Sequence, residues 1–268
     1  MATTKSARAN TAKGPPSLRH RVLHIEDKSG DGHRLPANIM ARLFEKNTAQ
    51  IIGGGSNPNL STSLTVPGYT VTTGGTADAT AYSTTGGLLM TPASDDNFDM
   101  TLDSVLAVTP TAGKWYGCLS RITVSGATAL GFRIGLTTGG SVAALPFGTD
   151  YTDQITISKA IASALVVGKV RGNSGTAADT GTLGTISTTE VEVGFCVYLH
   201  ATAPIGFFSY KTAAADVPTF TELTSDQVTQ AIAILTSPPT MYWTIHVTGI
   251  TGTSPTLDVT SFIAAGDR

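Results

Sequence analysis

The sequence predicts a mostly β protein, an antiparallel two-sheet sandwich preceded by an extended N-terminal arm. Three observations carry this. Thr, Gly, Ala, Ser and Val dominate the chain after residue 46, and only 13% of all residues are charged. Short strand-like runs recur from residue 60 onward with turn residues between them, supplied by 29 glycines and 13 prolines. β-Branched side chains pack well on a pleated surface, and Gly and Pro set the turns. The first 46 residues differ: nine are basic and four acidic, a net +5, whereas the remainder carries eight basic and fifteen acidic residues, a net −7.

Residues 1–22 hold almost no apolar side chain before Leu18. Such a segment cannot bury enough surface to offset the entropy of ordering it, so it is expected to be disordered alone or to order on a partner. Residues 22–25 read as a short strand and 28–32 as a turn. Pro36 opens a stretch in which Ile39, Met40, Leu43 and Phe44 form one helical stripe about two turns long, although a strand reading stays open. Gly53-Gly54-Gly55 marks the hinge, dividing an arm over 1–55 from a body over 56–268.

In the body the strand-like runs fall at 64–73, 87–92, 114–125, 131–138, 191–201, 205–211, 241–250 and 256–265. Two alternate cleanly. Val191, Val193, Phe195, Val197 and Leu199 share one face, opposite Glu192, Cys196 and His200; Met241, Trp243, Ile245 and Val247 lie opposite Tyr242, Thr244 and His246. One buried and one wet face is what an antiparallel sandwich strand requires. Ser225-Asp226-Gln227 reads as the start of a short helix through Val228, Ile232 and Leu235, with a buried strand as the alternative.

Candidate chemistry is thin. Asp27, Ser29, Asp31 and Gly32 imitate the start of a calcium loop, but the twelfth position is Asn38 rather than a glutamate, and a polar turn accounts for them. Asp95, Asp96, Asp99 and Asp103 form the densest acidic cluster and read as a solvated turn. His20, His24 and His33 lack metal-ligand spacing; His200 and His246 are expected on wet strand faces. Cys118 and Cys196 read as buried thiols inside strands, with a bridge between them left open. Neither a nucleophile elbow, a zinc-protease motif nor a phosphate loop occurs. The adjacent pairs Trp115/Tyr116 and Tyr242/Trp243 should each send one ring inward and one outward. A net charge of −2 argues against a general nucleic-acid binder. No run of about 18 apolar residues occurs, so no membrane span is expected.

Taken in order, GGLLMTPASDDNFDM, KWYGCLSRITVSGATALGFRIGLTT, GFFSYK and MYWTIHVTGITGTSPTLDVTSFIAAGDR resemble the concanavalin-like jelly-roll domains of tailed-phage virion proteins. The resemblance spans about residues 85–268 and rests on a pattern of strands. It departs from the family in the Thr/Ala/Gly-rich insert near 172–184 and in the turn after GFFSYK. It implies a head decoration or cement subunit at the capsid surface, without enzyme activity, cofactor or metal. It further implies the major capsid protein as partner and a homo-oligomer, trimer or dimer. Arg8, Lys13, Arg19 and Arg21 are then the expected contacts to an acidic shell, with Ile39, Leu43 and Phe44 as apolar anchors. The alternative is a carbohydrate- or receptor-binding fibre module using exposed Tyr or Trp. A glycoside hydrolase on the same fold would need facing carboxylates, and Glu190, Glu192 and Glu222 lack that spacing.

Overall fold

A computed structural model describes residues 50–52, 69–73, 79–82, 87–92, 99–139, 151–215, 217–249 and 255–266. The expectations for 22–25, the 27–38 loop, the glycine hinge, Asp95 and Asp96 lie outside the described residues. So do those for Arg8, Lys13, Arg19, Arg21, Ile39, Leu43 and Phe44.

The strands, in chain order, are β1 (Gln50–Ile52), β2 (Tyr69–Thr73), β3 (Ala79–Tyr82), β4 (Leu88–Thr91), β5 (Asp99–Ser104), β6 (Lys114–Val124) and β7 (Leu130–Thr137). There follow β8 (Gln154–Lys159), β9 (Leu165–Arg171), β10 (Ala178–Thr185), β11 (Val191–Leu199), β12 (Ile205–Thr212) and β13 (Thr219–Glu222). A helix, α1 (Ser225–Thr236), precedes β14 (Tyr242–Gly249) and β15 (Leu257–Gly266). They form two antiparallel sheets. The eight-stranded sheet runs β13-β12-β11-β6-β15-β4-β3, with β1 also on β15; the seven-stranded sheet runs β10-β9-β8-β7-β14-β5-β2. The predicted two-sheet antiparallel sandwich is therefore the observed fold. Gln50–Ile52, within the stretch read as arm, pairs with Phe262–Ala264 of β15.

The core lies between the sheets. Tyr116, Cys118, Ile122, Val193, Phe195, Val197 and Phe208 enter from one side, and Phe132, Ile134, Leu136, Ile155, Ile157, Trp243 and Ile245 from the other. Phe195 stacks on Trp243 at 6.2 Å between centroids and tilts against Phe208 at 5.9 Å. Offset rings at this spacing add to area burial. Strands of both sheets must come close to seat such rings, and Gly168 makes room: a Cβ there would stand 2.5 Å from the Phe208 ring.

α1 is a helix rather than the alternative strand because its N-terminus is fully capped. Thr224 Oγ1 accepts from the Gln227 amide at 3.2 Å, and Gln227 Oε1 accepts from the Thr224 amide at 3.1 Å. The same Gln227 side chain donates from Nε2 to the carbonyls of Gly168 and Ala178 at 2.9 and 3.2 Å. One side chain thus starts the helix and fastens it to β9 and the segment opening β10. Ala231 and Ile234 then enter the core. The Thr/Ala/Gly-rich insert resolves into the β9–β10 hairpin, with β10 at the sheet edge.

Candidate functional site

Alternation along β14, β7, β8 and β5 gives the seven-stranded sheet a polar outer face. Register sets His246 beside Arg133 and Thr101, and Arg133 beside Ser158. The next row carries Asp103, Thr244, Gly135 and Thr156; a third carries Tyr242, Thr137 and Gln154. This face is not wet. Thr137, Gln154, Thr156, Thr244, His246 and Thr248 are all 0% exposed. The expectation of an exposed His246 is therefore wrong, and so is the solvated-turn reading of Asp103, which sits on β5. Alternation identifies the residues that share a face; it cannot report what covers that face.

Two hydrogen-bonded groups organise it. Thr244 Oγ1 donates to Asp103 Oδ1 at 2.5 Å and lies 2.8 Å from Thr137 Oγ1, which in turn accepts from the Gly139 amide at 3.0 Å. Burial raises the Asp103 carboxyl above its ordinary value, while the Thr244 hydrogen bond and nearby His246 pull it back. The second group centres on Tyr151, whose hydroxyl lies 3.0 Å from His246 Nδ1 and whose ring faces the Arg133 guanidinium at 5.8 Å. Arg171 Nη1 donates to the Tyr151 carbonyl at 3.0 Å and so fixes that residue over the sheet. The buried hydroxyls of Thr101 and Thr248 and both amide atoms of Gln154 have no hydrogen-bond partner. Unmet polar groups in a closed place are costly, and they make this face the molecule's best candidate for holding a polar group.

The outer face of the eight-stranded sheet has the opposite character. Cys196, Phe207 and Ala265 are buried there under Trp115, Leu119 and Phe220. Phe207 meets Phe220 edge-on at 5.3 Å, and Trp115 tilts against Tyr198 at 5.4 Å. As the sequence predicts, Tyr116 and Trp243 point inward while Trp115 and Tyr242 point outward. Arg121 and Glu192 bound this apolar area with an ion pair at 3.0 Å. Cys118 faces the core and Cys196 the outer face of the sheet, and neither forms a disulfide. Burial holds the Cys118 thiol well above its ordinary pKa.

The three glutamates weighed as candidate carboxylates stand in separate settings. Glu190 accepts from Thr260 at 2.8 Å, Glu192 is tied to Arg121, and Glu222 lies exposed on the edge strand β13. A groove of about 320 Å³ runs between the 109–112 turn and α1, lined by Pro110, Ala112, Ala201, Ile232 and Leu235 among others, with no ionisable side chain. Among the described residues no three His, Cys, Asp or Glu side chains stand together as metal ligands. Sequence reasoning missed the face built by Thr101, Asp103, Arg133, Tyr151, Gln154, Thr244 and Thr248. Its signal was available as polar residues at alternate positions on four strands.

No protein-family model matches the chain, and no curated protein does. Solved structures do match in fold. A protein of unknown function from Shewanella oneidensis aligns at a TM-score of 0.53 and 12% identity, over 82% of this chain and 87% of that one. Peanut lectin aligns at 0.52 and 9% identity, over 83% and 98%. Lectin UEA-II, complexed with galactose, aligns at 0.50 and 12% identity, over 82% and 99%. At these identities the likeness establishes the lectin-like, concanavalin-type sandwich and nothing further.

Proposed function

We propose that this chain is a structural subunit of a tailed-phage particle, a decoration or cement protein on the outer surface of the capsid. The observation that carries the reading is the character of the two outer faces. The polar one is closed from solvent, whereas the other offers aromatic and aliphatic side chains, as an assembling protein requires. The strand pattern of residues 85–268 supports the same reading. Arg8, Lys13, Arg19 and Arg21 on the leader suit an acidic shell. Charge complementarity steers such an encounter, and binding only the assembled shell stabilises it by mass action. The major capsid protein is the partner, and the subunit acts as a dimer or trimer without catalysis.

Cryo-electron microscopy of the particle tests this. Regular arrays of the subunit on the head support decoration. A few copies at a vertex or tail favour an adhesin, and absence from the particle overturns both.

A second reading, carbohydrate binding, draws on one specific feature. Tyr242 points outward with its ring packed on Gly139, where a Cβ would stand 2.7 Å away. A flat ring fixed in this way is a stacking platform, and the sandwich is shared with a lectin solved with galactose. A glycan array giving selective binding that Tyr242→Ala abolishes would favour this reading over the first.

A further inference from the structure

The turn between β11 and β12 is tied to a single imidazole. His200 follows the last residue of β11 and is exposed. Its Nδ1 lies 3.3 Å from the Thr202 amide nitrogen, 3.2 Å from the Ala203 amide nitrogen and 3.3 Å from the Thr202 hydroxyl. A backbone N–H can only donate, so Nδ1 is the acceptor, and the ring proton of the neutral form sits on Nε2. An Asp or Asn side chain closes turns in the same way, by accepting from amides two and three residues on. Here the acceptor is a group that changes charge close to neutral pH.

That turn walls one side of the groove of about 320 Å³. The other walls are fixed by groups that do not titrate near neutrality. The 109–112 turn is held by the paired backbone bonds of Val108 and Met241 and by the Tyr116 hydroxyl, which accepts from the Thr111 amide at 3.0 Å. α1, which contributes Ile232 and Leu235, is anchored by its capping box and by Gln227. Ala201 belongs to the wall held through His200. Tyr198 stacks on the imidazole at 6.3 Å, Lys114 on β6 pairs in register with Leu199, and Glu222 on β13 pairs with Phe207 further along the sheet. Residues 109–113, 201–206 and 232–238 contain no charged side chain, so none of those segments supplies a carboxylate to hold an imidazolium in place.

We propose that His200 is an acid-operated latch on the wall of this groove. A second proton has to enter the ring at Nδ1, where it takes the lone pair that the two amides and the hydroxyl share. The three bonds are then lost together, the ring swings toward solvent, and Ala201 is released from its place in the wall. The step moves one proton from solvent and reverses when that proton leaves. It goes beyond the particle reading and does not depend on it.

The test is NMR of the full chain from about pH 8 to about pH 5, following the His200 ring, the Thr202 and Ala203 amides and the Ala201 methyl together. Ring nitrogen shifts at the alkaline end should show the Nε2–H tautomer. Both amides and the methyl should then titrate with the ring's own midpoint. The amides should lose protection roughly fivefold, the equivalent of one ordinary hydrogen bond. His200→Asn supplies an oxygen acceptor that does not titrate, and should keep the turn closed and unresponsive across the same range. An Nδ1–H tautomer would overturn the latch, as would amides or a methyl that stay still while the ring titrates. The same pH response in His200→Asn would sink it too, because the proton would then be acting elsewhere.

Discussion

The outer faces of the two sheets are made by the same alternation of side chains, yet they are built on opposite physics. On the seven-stranded sheet the face is hydroxyls, an amide, a carboxylate and an imidazole, closed from solvent and joined through the Asp103–Thr244–Thr137 chain and the Tyr151–His246 pair. On the eight-stranded sheet the face is a small second core of Cys196, Phe207 and Ala265, partly roofed by Trp115, Leu119 and Phe220. The first derives its order from direction, since each hydrogen bond fixes a geometry. The second derives its order from area, and its aromatic roof can be extended by any apolar surface that arrives.

The comparison breaks most readily at Phe207. Truncation to Ala removes the ring that joins Phe220 to the buried floor, and chemical denaturation should show a loss of about 3 kcal/mol. A loss below about 1 kcal/mol would mean that the apolar face is not a packed layer.

Lys159 provides a charged counterpoint at the end of β8. It is 0% exposed, and its amine donates to the carbonyls of Leu130 and Ala160. Burial lowers its pKa to about 8 from the ordinary 10.5. Between those values the unfolded chain binds the proton and the folded one does not, so stability should rise as pH climbs through that window. The rise should be up to about 3 kcal/mol, and Lys159→Met should flatten it. A stability profile with the same alkaline slope in the variant would refute this.

Thr244→Val probes the polar face directly. It removes the donor to Asp103 and leaves a half-buried carboxylate short of a partner, which should cost about 2 kcal/mol. The smallest effect is expected at Gln154, whose amide is buried without partners. Gln154→Leu should change the unfolding free energy by less than about 1 kcal/mol, in the stabilising direction. A clear loss would show that the amide has a structural role in the folded state.

The sandwich was legible in sequence wherever alternation was strict. Val191 to Leu199 and Met241 to Val247 declared which side faced the core, and the inward turn of Tyr116 and Trp243 follows from the same period. α1 was half legible: its capping residues were visible, although the cap proper is Thr224, one residue earlier than Ser225. The polar face was not legible as a site. Thr244 and His246 read as wet because polar residues on an antiparallel strand usually are, and no local pattern encodes a cover. Tyr151, which reaches across from outside the strands to His246, belongs to no periodic run. Distances of this kind arise only after the sheets have formed.

The position of β15 carries a consequence for synthesis. It lies inside the eight-stranded sheet, with β6 along one edge and β4 and β1 sharing the other. Until residues 257–266 have left the ribosome, β4 and β6 each present an unpaired edge, and Ile122 and Met90 lack their floor. A nascent chain of this design has to keep two sticky seams apart while it waits for its keystone. Completion should therefore come as a late and abrupt event, and the interval before it is when the protein is most exposed to mispairing with its neighbours.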